Sequence, residues 1–468
     1  MKYNKATLSK KDEVFREFAL NGNMWRVIFM VCTPLALYQS LNQIFKILDA
    51  MMASHISAES VSAVAYLSQI NLMLSAIGGG LAVGGSLKIS QAYGAGDYEL
   101  VKRRVNNLFA ICGVLGLFVL LCILPFTTEF LKLAKTPVEL IEIGKRYFIV
   151  ELIGMIIGFF NNVYIAIERA RGNSKRILNL NIISIAAKLL LTALFVYVLN
   201  AGITMIAMAT LLSNSIILVA AFINMRDKDN AFGFSLKKIS LKKDITLPML
   251  SISFPVIVEK VAFAFGKVVI NSMSTMYGVL TVGSLGISNN IGGVTTNPQN
   301  GFQEGCAAII SQNLGGGKPY RALDAFKKVV IINMLIGALG FVLTVGFLDY
   351  ISFIFAGNNV EFQEMIAKVY YYEAWGLVPL GINSAVMALL YGFGYTKLTL
   401  FINFSRVFLF RVPILWALQQ FTNLGSESVG IVMFVSNALV GVLAVVIGAK
   451  VVLTICKENQ ISFFRKSE

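Results

Sequence analysis

The stretch Ile89-Ser90-Gln91-Ala92-Tyr93-Gly94-Ala95-Gly96 occurs again 221 residues later as Ile310-Ser311-Gln312-Asn313-Leu314-Gly315-Gly316-Gly317. The same displacement joins four pairs of identical residues: Pro34 and Pro255, Lys46 and Lys267, Gly80 and Gly301, Gly84 and Gly305. Further along, the displacement grows by single residues and pairs Asn181 with Asn403 and Asn214 with Asn437. Small loop insertions produce such a drift. The sequence therefore predicts two halves that share one repeated fold.

The composition predicts that both halves lie in a membrane. Hydrophobic residues make up 56% of the chain and charged residues 14%, with a mean hydropathy of +0.72, whereas soluble domains are about a quarter charged. The basic residues behind the formal charge of +15 lie mostly in short loops between apolar runs. This distribution is typical of the loops that orient membrane helices, and it predicts no nucleic-acid partner. The five cysteines form no CxxC pair, so neither a disulfide framework nor a metal site is predicted.

Twelve apolar runs are long enough to cross the bilayer, because about 20 residues span its hydrocarbon core. They predict an all-α membrane protein with six helices in each half. The runs are 25–52, 59–92, 105–125, 145–167, 177–199, 201–224, 247–275, 280–312, 326–347, 367–392, 399–420 and 428–455. The predicted organisation is a cytoplasmic segment 1–24, an N-terminal lobe 25–225, a cytoplasmic linker 226–246, a C-terminal lobe 247–456 and a cytoplasmic tail 457–468.

The basic residues indicate the orientation of the helices. Lysine and arginine accumulate before the first run, after the second, fourth and eighth runs, in the linker and in the tail. Because cytoplasmic loops carry such an excess, both termini are predicted to be cytoplasmic. An even number of helices per half gives the two halves the same orientation, related by a pseudo-two-fold axis along the membrane normal. We expect a monomer in a bacterial plasma membrane.

Three motifs together resemble one family of carriers. They are Phe45–Ala65 with the sequence FKILDAMMASHISAESVSAVA, the repeated Gln-x-x-Gly-x-Gly helix end, and Gly301-Phe302-Gln303-Glu304-Gly305. They are similar to motifs of the multidrug and toxic compound extrusion (MATE) family of the MOP superfamily, and the resemblance covers nearly the whole chain. It implies a V-shaped, non-enzymatic antiporter of two six-helix bundles. Such a carrier exports a small organic substrate by alternating access, coupled to H+ or Na+, without another cofactor.

Glycines and prolines at repeated positions are hinge candidates. Glycine lets helices approach closely and bend, and proline removes a backbone hydrogen bond from a helix. Their recurrence in both halves favours shared hinge positions, and the alternative is that they serve packing alone. The candidates are Pro34, Gly80, Gly84, Pro255, Gly301 and Gly305.

Ionisable residues inside the apolar runs are candidates for ion coupling or gating, because a charge at bilayer depth costs roughly 2.5–3.5 kcal/mol on insertion scales. The resemblance makes Asp49 the first-helix carboxylate of the cation site. The family pattern adds an Asn and an Asp on the fifth helix and a Thr on the sixth, where this chain has Lys188, Thr192 and Thr210. We therefore hypothesise an Asp49–Lys188 ion pair in place of a bound cation. Alternatively, Lys188 extends to the membrane surface.

The second half supplies further candidates. Its carboxylates for coupling or gating are Glu259, Glu304 and Glu373, of which the first two are preferred. The candidates for the substrate cleft are Lys46, Lys267, Asn271 and Gln303. Lipophilic cations prefer acids and aromatic faces, so two repeated lysines favour an anionic or zwitterionic substrate, unless each lysine neutralises a neighbouring carboxylate. Arg406 and Arg411 are additional charges in apolar runs and receive no role.

Two other classes of function compete with an exporter. A flippase for a lipid-linked sugar or peptidoglycan precursor would account for the basic residues, whereas the twelve runs and the Asp49 segment favour the drug carriers. A membrane-embedded enzyme has no support, because the sequence contains no GxSxG motif, and Gly315-Gly316-Gly317-Lys318 lacks the spacing of a phosphate-binding loop. The predicted partners are the lipid bilayer and a small-molecule substrate.

Overall fold

The structure, a computed structural model, describes residues 6–53, 58–134, 136 and 138–463. At residues 45–53, 58–63, 65–66, 139–140, 143 and 279 it describes the backbone alone. Over these ranges the chain forms helices joined by short loops, and a single isolated bridge pairs Thr7 with Asn230. The all-α prediction is confirmed.

The described part of the first half contains eight α-helices. They are α1 Lys10–Asn21, α2 Met24–Ala53, α3 Ala58–Ala95, α4 Tyr98–Ile123, α5 Thr127–Leu133, α6 Val138–Ala170, α7 Ser174–Ala193 and α8 Ile203–Asn224. The π-helical turn Leu194–Val198 continues α7. The side chain of Asp97 begins α4 by accepting the Leu100 N–H, which satisfies one of the free donors of the first turn.

The described part of the second half contains nine α-helices. They are α9 Lys243–Ser274, α10 Val279–Gly315, α11 Pro319–Gly346, α12 Leu348–Ala356, α13 Val360–Ala374, α14 Leu377–Phe393, α15 Thr396–Phe404, α16 Val412–Phe421 and α17 Glu427–Glu458. A π-helical turn, Ser405–Arg411, joins α15 to α16. Short 3-10 turns, Leu236–Lys238 and Thr275–Tyr277, lie before and after α9.

The helices account for the predicted membrane segments. Within the described residues, ten helices or helix runs are long and apolar enough to cross a membrane, and α13 with α14 forms one further span that is bent by 48°. Helix α10 is longer than any span requires, but its many Asn, Gln, Ser and Thr residues lower its hydropathy. With α10, each of the twelve apolar runs corresponds to one helical span.

The chain divides into two compact units. The first comprises residues 1–18 and 44–261, and the second comprises 19–43 and 262–468. The core of the first unit is built mainly from α3, α4, α6 and α8. In the second unit, buried side chains of α9, α10, α13, α16 and α17 form one cluster, and those of α10, α12, α13 and α14 form another. The lobes 25–225 and 247–456, which follow the repeat, stay a prediction.

Helix α1 is anchored in the first unit by buried charges. The Arg171 guanidinium donates to both carboxylate oxygens of Asp12, at 3.0 and 2.9 Å, and to Glu168 at 3.1 Å. Asp12 and Glu168 are 1% and 0% exposed. Burial by itself lowers the pKa of Arg171, but the carboxylates of Glu168 and Asp12 raise it above its ordinary value. Arg171 therefore remains charged and holds α1 against the loop that follows α6.

Two glycines allow α3 to cross α9 closely in the first unit. A Cβ atom on Gly80 would lie 2.6 Å from Cα of Ile257, and one on Gly84 would lie 2.4 Å from Cα of Ser253. Real Cβ atoms do not approach a backbone this closely, so a side chain at either position would force the helices apart. Pro255 lies inside α9 between these two contacts.

The second unit contains the corresponding crossing of α10 and α2. A Cβ atom on Gly301 would lie 2.5 Å from Cα of Ala36, and one on Gly305 would lie 2.6 Å from the Cys32 Sγ. Pro34 lies inside α2 between these contacts. The partners in the two crossings are also 221 residues apart, so the repeat extends to the helix packing. The close approach expected of the repeated glycines is present, and their role as hinges stays a prediction.

Alanine at the crossings is expected to destabilise the protein. Gly84→Ala and Gly305→Ala should each lower the free energy of unfolding by about 1–3 kcal/mol, because the added methyl group overlaps the facing helix. Thermal unfolding of the detergent-purified protein measures this effect. Matched controls are Gly158→Ala and Gly286→Ala, whose Cβ atoms meet nothing within 4 Å. Equal stability of the test and control variants would contradict the close crossings.

Candidate functional site

A buried carboxylate lies at the bend between α13 and α14. Glu373 is 7% exposed, and its Oε2 accepts a hydrogen bond from the Ser288 hydroxyl of α10. A Cβ atom on Gly292, one turn further along α10, would lie 3.4 Å from the other oxygen, Oε1. A break in a membrane helix is tolerated where protein covers it or where it lines a cavity. The bend thus places a carboxylate inside the second unit.

Two arginines in the π-helical turn reach one acceptor on α17. Arg406 Nε and Nη2 donate to Asn437 Oδ1 at 3.1 and 2.8 Å, and Arg411 Nη2 donates to the same oxygen at 3.0 Å. Arg411 Nε also donates to the Ser436 hydroxyl at 3.1 Å. Because a π-helix is hydrogen-bonded from residue i to i+5, residues 406 and 411 lie on the same face of the turn. Single π-turns of this kind are frequent at functional sites.

A lysine on α9 completes this group of charges. The ammonium of Lys267 lies 5.3 Å from the ring centroid of Phe263, and the Arg406 guanidinium lies 5.2 Å from the same centroid. Glu373 interacts electrostatically with Arg411, Arg406 and Lys267. We call Lys267, Glu373, Arg406 and Arg411 the charge cluster. It contains three cations and one carboxylate.

The repeat shows which parts of the charge cluster are shared by the two halves. Glu373 lies 222 residues after Glu151, the same displacement that pairs Asn403 with Asn181. Lys267 likewise repeats Lys46. By contrast, Arg406 corresponds to Ser184, whose hydroxyl donates to the Ser213 carbonyl at 2.8 Å. Arg411 corresponds to Leu189. The lysine and the glutamate are therefore duplicated, whereas the arginine pair belongs to the second half.

The first-half candidates are described only in part. The side chains of Lys46 and Asp49 lie outside the described residues, so the Asp49–Lys188 pair stays a prediction. The Thr192 hydroxyl is fully buried and has no hydrogen-bond partner among the described residues. The Thr210 hydroxyl donates to the Ile206 carbonyl of its own helix at 3.2 Å.

The second-half candidates are dispersed. Glu304 is half-buried and lies sixteen residues beyond Ser288, which is about 24 Å along a helix, so it is distant from the charge cluster. Glu259 is 4% exposed and belongs to the first unit. Gln303 Oε1 accepts a hydrogen bond from the Ser384 hydroxyl at 3.0 Å.

Asn271 is half-buried and lies one helical turn after Lys267 on α9. Residues four apart are neighbours on a helix surface. Of the four cleft candidates, Lys267 and Asn271 therefore share a face.

The sequence-based interpretation missed the roles of the arginines and of Asn437. A signal was present, because alignment of the two halves places Arg406 opposite Ser184. Where one half has a small residue and the other half has a charged residue at membrane depth, the two halves differ in function at that position. The convergence of both arginines on Asn437 depends on the π-helical turn, which the sequence did not reveal.

Comparison with known proteins gives matches over most of the chain. The profile of the MatE family matches residues 34–194 and 255–417. The probable multidrug resistance protein YoeA of Bacillus subtilis is 20% identical over 410 residues, covering 86% of this chain and 88% of its own. The multidrug export protein MepA of Staphylococcus haemolyticus is 24% identical over 336 residues, covering 70% and 73%.

Solved structures share the fold. The crystal structure of a MATE protein in complex with MaL6 aligns with a TM-score of 0.90 at 20% identity, over 96% of this chain and 100% of its own. A MOP superfamily transporter from Pyrococcus furiosus, described as having a binding pocket of reverse polarity, aligns with a TM-score of 0.89 at 20% identity, over 96% and 99%. These alignments confirm the predicted transporter fold.

Proposed function

Because this chain belongs to the MatE family, we propose that it exports small organic molecules across a bacterial plasma membrane by alternating access, as an antiporter of H+ or Na+. Both termini lie on the cytoplasmic side. The two lobes of six helices each alternately open the substrate site to either side of the membrane.

The two-fold match to the family profile carries this proposal. The matched stretches begin at residues 34 and 255 and end at 194 and 417, so they follow the displacement of the internal repeat. Duplicated helical units suit a carrier in which one repeat moves against the other. Relatives that align over most of this chain are named for multidrug resistance and multidrug export, which supports organic molecules as substrates.

We assign Glu373 the role of counter-ion and place ion coupling at another carboxylate. Glu373 interacts electrostatically with three cations, and these like charges disfavour binding of a further cation. In the first lobe, Asp49 is expected to pair with Lys188. Glu304 is half-buried, and about 24 Å of helix separates it from the Ser288 contact of Glu373, so we propose Glu304 as the coupling carboxylate, with Glu259 as the second choice.

Transport by the reconstituted protein tests this proposal. Export of a fluorescent dye from proteoliposomes is driven separately by a proton gradient and by a sodium gradient. One of the two gradients should drive export, and Glu304→Gln should remove that dependence because its amide can neither release a proton nor bind a cation. Glu361→Gln, at an exposed helix start, is the matched control. Export that neither gradient drives would contradict antiport. Gradient-driven export by Glu304→Gln would show that a different carboxylate couples the ion to export.

A flippase remains the second candidate because of one observation, the pair of arginines in the second unit. Arginine binds phosphate groups through two parallel hydrogen bonds, and lipid-linked precursors carry such groups. Under this function, loss of the gene should stop cell-wall synthesis, and a dye should not be exported. Dye export with normal wall synthesis would exclude the flippase.

A further inference from the structure

Among the described side chains, the charge cluster brings together three cations and one carboxylate. Lys267, Arg406 and Arg411 interact with the single carboxylate of Glu373. Arg411 is 3% exposed, and Arg406 is half-buried. Cationic side chains within membrane-spanning helices are rare, and they are normally paired or face a water-filled cavity. The cluster is therefore suited to receive an anionic group.

Two of the three cations lie where a ligand can reach them. Lys267 is exposed, although it lies seven residues before the end of α9, which is about 10 Å at 1.5 Å per residue. An exposed ammonium at that depth is stable on a wet surface and costly against lipid. Lys267 and Arg406 both lie beside the Phe263 ring, with their cationic groups 5.3 and 5.2 Å from its centroid.

Arg406 retains donors for a ligand. A guanidinium has five N–H donors in a fixed plane, and the contacts to Asn437 use Nε and Nη2. The shared Asn437 oxygen fixes the plane of the guanidinium without neutralising it, because an amide carries no charge. The Nη1 edge is thus oriented and charged, as carboxylate and phosphate recognition requires.

We propose that Lys267 and Arg406 bind the carboxylate or phosphate group of an exported organic anion, which rests on the export function proposed above. Phe263 contacts both cations and offers an apolar face to the organic part of the ligand. Glu373 and Arg411 form the inner part of the site. Glu373 competes with the ligand for the positive charge of the cluster. The site therefore releases its anion when Glu373 attracts the cations more strongly than the ligand does.

Two dyes with the same xanthene ring test the proposal, namely fluorescein, which is anionic, and rhodamine 6G, which is cationic. Their binding to the full-length protein in phosphatidylcholine vesicles is measured by fluorescence anisotropy. Fluorescein should bind at least roughly tenfold more tightly than rhodamine 6G, as expected for a hydrogen bond to a charged group. Lys267→Gln and Arg406→Gln should each weaken fluorescein binding roughly tenfold. Lys450→Gln, at an exposed position of α17, should leave it unchanged.

Misfolding cannot raise the affinity for a ligand, so a variant that binds fluorescein more tightly tests the site independently of folding. Glu373→Gln removes the competing carboxylate and should tighten fluorescein binding by roughly tenfold. If Arg406→Gln does not fold, Arg406→Lys keeps the charge without the planar fork and should lose part of the affinity. Equal binding of the two dyes, or unchanged fluorescein binding in Lys267→Gln and Arg406→Gln, would overturn the proposal.

Transport separates this inference from the function on which it rests. Export of either dye, together with fluorescein binding that is unchanged in Lys267→Gln and Arg406→Gln, would leave the export function in place and overturn the anion site. Binding of fluorescein that depends on Lys267 and Arg406, without export of either dye, would leave the site in place and overturn the export function. Added phosphatidylglycerol that displaces fluorescein from the wild-type protein would assign the site to a lipid headgroup and overturn the substrate assignment.

Discussion

Replacing Arg411 by methionine is expected to lower the free energy of unfolding by about 1–3 kcal/mol, because it removes buried hydrogen-bond donors to Ser436 and Asn437, and to abolish export. Arg411 is 3% exposed and interacts electrostatically with Glu373. Its loss leaves Glu373 buried with less compensation. It also removes the donor to the Ser436 hydroxyl and one donor to Asn437. Thermal unfolding and dye export measure the two effects.

The double variant Arg411→Met/Glu373→Gln tests whether the charge of Glu373 causes the loss of stability in Arg411→Met. If Glu373 is the group left uncompensated, its conversion to a neutral amide should recover part of the lost stability. The coupling free energy from the four proteins then differs from zero by about 0.5–3 kcal/mol. Lys450→Met is the matched control for replacement of a cation in the same unit. Strict additivity, or a loss equal to that of the control, would show that Arg411 and Glu373 act independently.

Replacing Arg171 by methionine is expected to destabilise the first unit by about 3–5 kcal/mol. The substitution leaves the carboxylates of Asp12 and Glu168 in an environment where they are 1% and 0% exposed. It also removes the cation that lies 5.0 Å from the ring centroid of Phe232. Because Asp12 lies on α1, the first consequence should be detachment of this helix. Limited proteolysis near residue 20 and thermal unfolding would detect it.

The matched control is Arg103→Met. Arg103 lies 3.6 Å from Glu99 in an ion pair whose side chains are 43% and 34% exposed, and exposed pairs contribute about 0–1 kcal/mol. The two substitutions remove the same side chain from an exposed and from a buried pair. Similar losses in both variants would contradict a structural role for the Asp12–Arg171–Glu168 network.

The sequence was most informative about the membrane helices and their crossings. Apolar runs of sufficient length are a local property, and each predicted run corresponds to a helical span. The repeated glycines predicted close helix contacts because a residue without a side chain lets any facing helix approach closely. Their partners, Ile257 and Ser253 in one unit and Ala36 and Cys32 in the other, required the structure.

The ion-coupling and cleft candidates were less predictable. Asp49 and Lys188 were linked by the family resemblance alone, and the structure does not describe the Asp49 side chain. Glu304 and Glu373 were placed in one group, although about 24 Å of helix separates Glu304 from the Ser288 contact of Glu373. Membrane depth can be estimated from the chain, but the rotation of one helix against another cannot.

The sequence by itself determined a duplicated membrane protein with six helical spans in each half and glycines at shared crossings, because hydropathy and repetition are properties of the chain. The tertiary structure alone decided that Lys267, Glu373, Arg406 and Arg411 form one cluster. In an α-helix, residues five apart are separated by about 140° around the axis, so Arg406 and Arg411 would point in different directions. The π-helical turn brings both arginines to Asn437. Helices α9 and α17 pack against this turn and α13 packs against α17, which places the charges together.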